Sequence, residues 1–543
     1  VTLAAAAVSG ITASHTLFVY LPTLNTPHTS IAGVPHAASP VPPTPALARR
    51  LAVIVYDGLS YDVAMTLPEL APLRERGVVR GVAVEFPSFT SPALVSFMTG
   101  LGPRDSGTRR NGDLQGVPGI DSFMRAAGDA RVPVTVWSHG YDDFARLIAP
   151  PAGTPIHEGK LACAVDMIRR GLHGTRDVAP PEPGAPVRTI DMIHWGLLDD
   201  TGHEHGSGSP EYARVAHDGA AFIARYAASL DLDRDALVVL SDHGHLDGPH
   251  GGHGGDEPEV RRALFLGVGA SFRRGVELEA RPMRDVASTL AVVAGLRAPT
   301  SSLGLPMIDA LDLDGAAAAR ALAGPFEQGA RFLCALRPDP RCNEAAPLAA
   351  RLEGHDPAAR PLAEALHGFL GLARDRDLGD LRDQGARRRL AFAALGSALA
   401  LWTTLALLRR RGARFGPAAM LPILNIAVFT AYIWLRGYRP GFSYLRAAPL
   451  LVADAVPGAL LAIAAIAFYA RRTQPGVSGP WVLLLGTAIP FALLAAWVGW
   501  DPVTLPPPIA GAAVFQLSPS LVSAAVAAVV VAVMEIRRAP RAG

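Results

Sequence analysis

From Leu390 onward the chain carries five apolar runs, at 390–408, 416–435, 447–469, 481–500 and 509–535. Each is about 19–27 residues long, the length of helix that crosses a hydrocarbon core of roughly 30 Å. One such run would fit a buried core helix equally well. Five in succession, punctuated by arginine clusters, predict a helical transmembrane bundle over 389–543. Composition agrees: half of the 543 residues are hydrophobic and only 18% are charged, a balance unusual for a soluble enzyme.

The arginines orient the bundle. "RRRGAR" (409–414), "RR" (471–472) and the tail "RRAPRAG" fall on one side with nine arginines; "RGYRPGFSYLR" and "DPVTLPPP" fall on the other with three. The positive-inside rule places the first side, and with it the C-terminus, in the cytoplasm, although "ARRR" (386–389) lies at the opposite end of the first span. Residues before that span then belong on the extracytoplasmic side, periplasmic or lumenal. At the other end of the chain, the apolar stretch 1–24 is long enough to span. It reads as an anchor rather than a signal peptide, since no basic n-region or small-residue cleavage site accompanies it. The proline-rich segment 25–47 reads as a linker. Asp454, in "LLVADAVPGALL", places a carboxylate inside a predicted span, where it is costly and marks either headgroup contact or proton handling.

Between these regions the pattern turns globular. "LAVIVY", "VPVTVW", "TIDMIHWGLL" and "ALVVLS" are continuous apolar runs separated by amphipathic, alanine-rich stretches. Runs of that kind are strands buried on both faces, which predicts a doubly wound, mostly parallel α/β domain over 48–312. Residues 313–388 show helical spacing and few β-branched residues and read as a helical stalk. The formal charge of +2 and the lack of a basic stripe argue against nucleic acid as a partner. Three cysteines without a CxxC exclude a thiolate zinc site; Cys334 and Cys342 are close enough to pair in an oxidising compartment, leaving Cys163 alone.

Three of the apolar runs lead to aspartates: Asp57 in "VYDG", Asp199 in "LLDDTGHEHG" and Asp242 in "LSDHG". Ligands of open α/β sheets bind beyond the carboxyl ends of the strands, so these side chains are expected to converge. His203, His243 and either His250 or His253 of the glycine-rich loop add imidazoles. Three carboxylates and three imidazoles suffice for two divalent ions, zinc or manganese, suited to in-line phosphoryl displacement. In "FPSFTSPALVSFMTG", Thr90 stands where an extended segment turns into a helix, a position that favours a developing anion. Its hydroxyl is a nucleophile only when activated; the plainer role for it is a helix cap. Asp200 competes with Asp199 but does not fit the DxxGH spacing. His205 and His245 read as supporting or solvated, and His194 with Trp195 as core.

The set "YDG", "PSFTSPALVSFMTGLGPRDSG", "DDTGHEHG", "SDHG" and "GGHGGDEPE" resembles the alkaline phosphatase superfamily, in the branch of nucleotide pyrophosphatase/phosphodiesterases. The order of anchor, outer domain and C-terminal bundle resembles the glycosylphosphatidylinositol ethanolamine phosphate transferases, whose spans are longer and more numerous. The resemblance, over roughly residues 50–312, implies one ion held by Asp57, Thr90, Asp242 and His243 and a second by Asp199, His203 and His253, with Thr90 as nucleophile. "HGGDEPE" favours His253 over His250, which stays as the alternative. The phosphodiesterases carry an Asn shortly after the nucleophile, where Ala93 stands here, so phosphate recognition falls to Arg109, Arg110 or Asn111. A sulfatase is excluded, because Thr90 cannot become formylglycine and Leu94 replaces the required Arg.

The expected activity is transfer of a phospho-headgroup, phosphoethanolamine-like, from a phospholipid or lipid-linked donor through a phospho-threonine to a glycan or lipid acceptor. The alternative is hydrolysis of an extracytoplasmic phosphoester. An inactive transport or assembly subunit fits poorly with six ligands and a nucleophile all present.

Overall fold

The structure is a computed structural model and describes residues 31, 33–34, 37–109, 111, 120–139, 144–158, 189–247, 252–409, 415–438, 443, 448–476, 478–498 and 519–538. The expected anchor at 1–24, Arg110, Cys163, His250 and residues 499–518, which include the first part of the run expected at 509–535, lie outside the described residues. Two compact units divide the chain, with Pro27–Leu378 forming one and Gly379–Gly543 falling in the other.

The first unit is built on eight strands: β1 (Arg50–Tyr56), β2 (Gly77–Ala83), β3 (Val134–His139), β4 (Ile156–Glu158), β5 (Thr189–Trp195), β6 (Ala236–Leu240), β7 (Arg262–Gly269) and β8 (Val276–Pro282). They form one sheet in the order β4-β3-β5-β1-β6-β7-β2-β8. All neighbours run parallel except β6–β7 and β7–β2, so the sheet is mixed, with β7 as the reversed strand. The continuous apolar runs are explained by burial on both faces. Along β1, Leu51, Val53 and Val55 enter one hydrophobic core, while Ala52, Ile54 and Tyr56 enter the other. Each large aliphatic side chain buried this way contributes about 1.5–3 kcal/mol.

Helix Pro210–Ala228 covers the second face, entered through Ser209, whose hydroxyl accepts from Tyr212 N, with Pro210 at the first helical position. Tyr56 reaches across to this helix and donates to Ala216 O at 2.9 Å. Gly219 makes room for it: a Cβ there would sit 2.2 Å from the tyrosine oxygen. The first face is covered by helices Thr90–Thr99, Asp285–Ala294 and Gly315–Leu336.

The residues expected as a separate stalk are not separate from this core. Ala318, Phe326, Leu352, Leu366 and Leu370 belong to the same hydrophobic cluster as Leu51 and Val53. Residues 359–409 form one helix, so the expected break between stalk and first span at 388 falls inside it. The reason is that the alanine- and leucine-rich face of 313–370 has a sheet to bury against, which periodicity alone cannot reveal. Arg374 pairs with Asp105, and Arg104 with Asp375, so this helix is tied by charge to the turn that follows the Thr90 helix. Cys334 and Cys342 are disulfide-bonded. The linker residues 37–47 lie along the same surface, where Arg331 donates to Ala37 O and Ala38 O and Leu47 N to Val293 O.

Among the described residues of the second unit, three helices are long and apolar enough to cross a membrane: Gly416–Leu435, Ala455–Thr473 and Pro519–Arg538. The run expected at 481–500 is helical over Gly479–Val498, with a shorter apolar stretch at Gly479–Leu494. Asn425, fully buried, donates to Ser520 O at 2.9 Å and accepts from Ser523 Oγ at 2.7 Å, a polar link between two of the apolar helices. Asp454 lies within helix Ala448–Thr473.

Arg49 and Asp235 form a buried bidentate pair, with Nε–Oδ1 at 2.9 Å and Nη2–Oδ2 at 2.8 Å. Removing one partner of such a pair strands the other charge. Asp235→Ala is therefore expected to destabilise the first unit by about 3–5 kcal/mol. Asp218→Ala, which breaks the exposed Arg214–Asp218 pair at 3.1 Å, should stay within about 0.5 kcal/mol. Denaturant titration of the detergent-solubilised chain compares the two; equal effects would contradict the buried-pair account.

Candidate metal centre and nucleophile

The centre of the sheet explains why three aspartates meet. β5, β1 and β6 are adjacent and parallel, so their carboxyl ends open on one crevice. Asp57 follows β1 directly, and its N–H donates to Trp195 O at the end of β5. Asp242 stands just beyond β6. Asp199 is carried by the helix Leu197–His205 that follows β5. Gly58 permits the close approach of the first and third turns. Its φ is +77°, and a Cβ would lie 2.9 Å from the Asp199 Cα.

The first group of donors is Asp57, Asp242, His243 and Thr90, all buried. His243 Nε2 lies 3.2 Å from Thr90 Oγ1, 3.3 Å from Asp242 Oδ2 and 3.4 Å from Asp57 Oδ1. Ligands around a tetrahedral zinc with bonds of about 2.0–2.1 Å are separated by about 3.3 Å, so this spacing fits a common ion. The imidazole is in the tautomer that such a role needs. Its Nδ1 is 3.2 Å from Gly244 O, an acceptor, so the proton sits on Nδ1 and Nε2 offers its lone pair. Asp242 divides its oxygens: Oδ1 accepts from Gly58 N at 3.1 Å and His243 N at 2.9 Å. Its Oδ2 is buried with no hydrogen-bond partner among the described residues. A buried carboxylate oxygen in that state fits a residue that would hold a cation.

The second group is Asp199, His203 and His253, joined by His245. Asp199 and His203 are four residues apart on one helix face, with Oδ2–Nε2 at 3.4 Å. His253 Nε2 is 3.1 Å from His203 Nε2 and 3.3 Å from Asp199 Oδ1. Its Nδ1 lies 3.1 Å from Ser88 O, which again places the proton away from Nε2. Ser88 also locks the loop, donating to Gly255 O at 2.8 Å and accepting from Gly254 N at 3.1 Å. The two groups adjoin: the rings of His243 and His253 stack at 3.6 Å.

Electrostatics point the same way. Burial pushes the Asp242 carboxyl well above its ordinary range, with Asp57 and Asp199 adding repulsion. Burial also opposes charge on Asp199, but His253, His203 and His245 outweigh it and hold that carboxyl well below its usual range. Two divalent cations would balance this excess of carboxylates, and the donors, carboxylate and imidazole, are those that zinc and manganese take.

Thr90 is the first residue of helix Thr90–Thr99, after Phe89 at the cap position, where no side-chain capping bond is made. Its hydroxyl faces His243 instead of capping the helix. Asn111 Oδ1 accepts from Ser91 N at 3.0 Å, which brings a residue from a distant loop to the helix start beside Thr90. Arg109 is buried, at 7% exposure. Asp200 and His205 are exposed, unlike Asp199.

Two further histidines touch the site carboxylates. His194 is buried as expected of core, yet its Nε2 lies 3.0 Å from Asp57 Oδ2. His245, read as supporting or solvated, is buried at 2% exposure, with Nε2 2.7 Å from Asp199 Oδ1. A signal for His245 was present in S-D-H-G-H: positions two apart in an extended segment share a face.

Residues 51–143 match the family model described as type I phosphodiesterase / nucleotide pyrophosphatase. None of the curated proteins matches the chain. Among solved structures, murine ectonucleotide pyrophosphatase / phosphodiesterase 5 is similar at 16% identity, covering 46% of this chain and 95% of its own, with a TM-score of 0.38. The human form is similar at 13% identity, covering 48% of this chain and all of its own, with a TM-score of 0.38. The matched stretch contains Asp57, Thr90 and Asn111, so this part of the chain is similar to the type I phosphodiesterase / nucleotide pyrophosphatase family.

Proposed function

We propose that the protein is a membrane-anchored, two-metal phosphotransferase that moves a phospho-headgroup from a lipid donor to a glycan or lipid acceptor. The observation that carries the reading is Thr90, whose hydroxyl stands at a helix start, 3.2 Å from His243 Nε2 and beside Asp57 and Asp242. Asp57, Thr90, Asp242 and His243 would hold one divalent ion, and Asp199, His203 and His253 the other, zinc in first place and manganese as the alternative. Bound there, the ions lower the pKa of the Thr90 hydroxyl and neutralise the transferring phosphoryl group.

Thr90 Oγ attacks phosphorus in line, the bond from phosphorus to the donor oxygen breaks, and the threonine proton ends on that leaving oxygen. The N-terminal end of the Thr90 helix favours the anion that develops. Asn111 and Arg109 orient the phosphoryl oxygens, Asn111 through its amide N–H groups, with Arg110 as a third candidate. In the second half, an acceptor hydroxyl attacks phosphorus, the Oγ–P bond breaks, and the acceptor's proton returns to Thr90.

The bundle supports a lipid donor, since it anchors the enzyme in the membrane where that donor resides. Sidedness follows from the nine-to-three arginine bias, which favours an extracytoplasmic catalytic unit and a cytoplasmic C-terminus. The Cys334–Cys342 disulfide supports the same side, because such bonds persist in oxidising compartments. The phosphodiesterase match over 51–143 favours one second reading, in which water is the acceptor and the reaction is hydrolysis.

The reading is tested by incubating the detergent-purified chain with native lipid extract and weighing the peptide that bears Thr90. A phosphoethanolamine-sized increment is expected; a bare phosphate increment supports a phosphatase, and no increment on a metal-loaded chain removes the transferase. Thr90→Ala should lower turnover by at least about 10³-fold.

Metal content gives an independent check. Chelation should abolish turnover, and re-addition of zinc or manganese should restore it. His253→Ala is expected to retain about one ion per chain and His250→Ala two, read by elemental analysis; the reverse would make His250 the ligand.

A further inference from the structure

His245 falls outside the ligand set above, yet it is among the most closely packed groups of the centre. We propose that His245 is a positioning residue for the second ion: it donates Nε2–H to Asp199 Oδ1 and holds that carboxylate in place without being a ligand itself. The inference rests on the two-ion reading and adds a residue to it.

Distance separates the two roles. The candidate ligand atoms of this group, on Asp199, His203 and His253, lie 3.1–3.4 Å apart. His245 Nε2 lies only 2.7 Å from Asp199 Oδ1, the length of a charge-assisted hydrogen bond. Two ligands that close, on bonds of about 2.0–2.1 Å, would subtend an angle of about 80–85° at the ion, far from tetrahedral. A deprotonated Nε2 would also set its lone pair against an anionic oxygen. A protonated Nε2 donates to it.

Packing holds the ring in that pose. His245 is 2% exposed, and a Cβ on Gly202 would lie 2.8 Å from its ring, so the imidazole rests directly on the helix that carries Asp199 and His203. The first group contains the same device. His194 Nε2 lies 3.0 Å from Asp57 Oδ2, while Asp57 Oδ1 faces His243 at 3.4 Å. Each group thus has one carboxylate held by a buried imidazole that contributes no lone pair to the ion. A functional consequence follows. With Asp199, His203 and His253 as the protein ligands, a fourth position stays open for a substrate oxygen, whereas a His245 ligand would close the shell.

The test uses the full-length, detergent-purified chain, stripped by chelation and reloaded with Co²⁺ or Zn²⁺. His245→Leu removes the donor, and His245→Gln restores an N–H of similar reach. His245→Leu is expected to weaken one of the two ions by about 10–100-fold and leave the other unchanged. His245→Gln should recover most of that loss. The Co²⁺ visible spectrum of both loaded variants should keep the wild-type band positions and intensities, since no ligand has been lost.

A spectrum altered in both variants, with no recovery by Gln, would make His245 a ligand and overturn the proposal. Unchanged affinity in His245→Leu would overturn it as well, as would an equal drop in the metal-free melting temperature of both variants that accounts for the whole affinity loss. A wild-type chain that takes up no ion would remove the two-ion reading and this inference with it. A wild-type chain with two ions that His245→Leu holds equally well removes this inference alone.

Discussion

Three carboxylates, Asp57, Asp199 and Asp242, share one buried crevice, and the neighbouring elements either bring them together or offset their repulsion. Two like charges about 4 Å apart repel by about 4 kcal/mol at an effective dielectric of 20, so such a cluster does not persist unless it is balanced. Backbone N–H groups of Gly58 and His243 neutralise part of Asp242, and imidazoles surround Asp199. What remains is Asp242 Oδ2, without a hydrogen-bond partner among the described residues and 3.3 Å from His243 Nε2. The same excess of negative charge suits the crevice to hold cations.

Holding that crevice rigid is the work of the sheet. Because β1 is buried on both faces and flanked by parallel partners, its end cannot shift without disturbing two cores. Turns beyond the strand ends are packed just as closely. Gly58 touches the Asp199 backbone, and a Cβ on Gly254 would lie 2.2 Å from the Phe89 ring, one residue before Thr90. The His253 loop and the Thr90 segment are further joined by Ser88, which bonds to Gly254 and Gly255 and accepts from His253. Thr90 and His253 are therefore placed by one shared loop pair, so a change in either is felt by both.

Much of the site was legible in the sequence. Asp57, Asp199 and Asp242 were marked by the ends of apolar runs, and Thr90 by an extended segment turning into a helix. His203 and His243 followed from short spacings that a helix or a tight turn makes neighbours. The contact of His194 was not legible, nor which of the two readings of His245, supporting or solvated, would hold, because each depends on a contact across the sheet: His194 with Asp57, 137 residues away, and His245 with Asp199, 46 residues away. A histidine on an apolar strand reads as core whether or not its ring reaches a carboxylate. The extent of the catalytic unit was hidden for a similar reason. Residues 313–370 have the pattern of amphipathic helices, and that pattern does not say which surface they cover.

The sequence by itself determined the classes of element: apolar runs for two-sided strands, long apolar helices for a membrane, and a donor set of carboxylate, imidazole and hydroxyl without thiolate. These follow from local composition and period, which the chain carries at every point. Only the tertiary structure decided that β1 lies between β5 and β6, that helices after residue 313 share the sheet's core, and that His245 belongs against Asp199. Those are long-range choices, made by which buried surfaces fit together, and no window of sequence contains both partners.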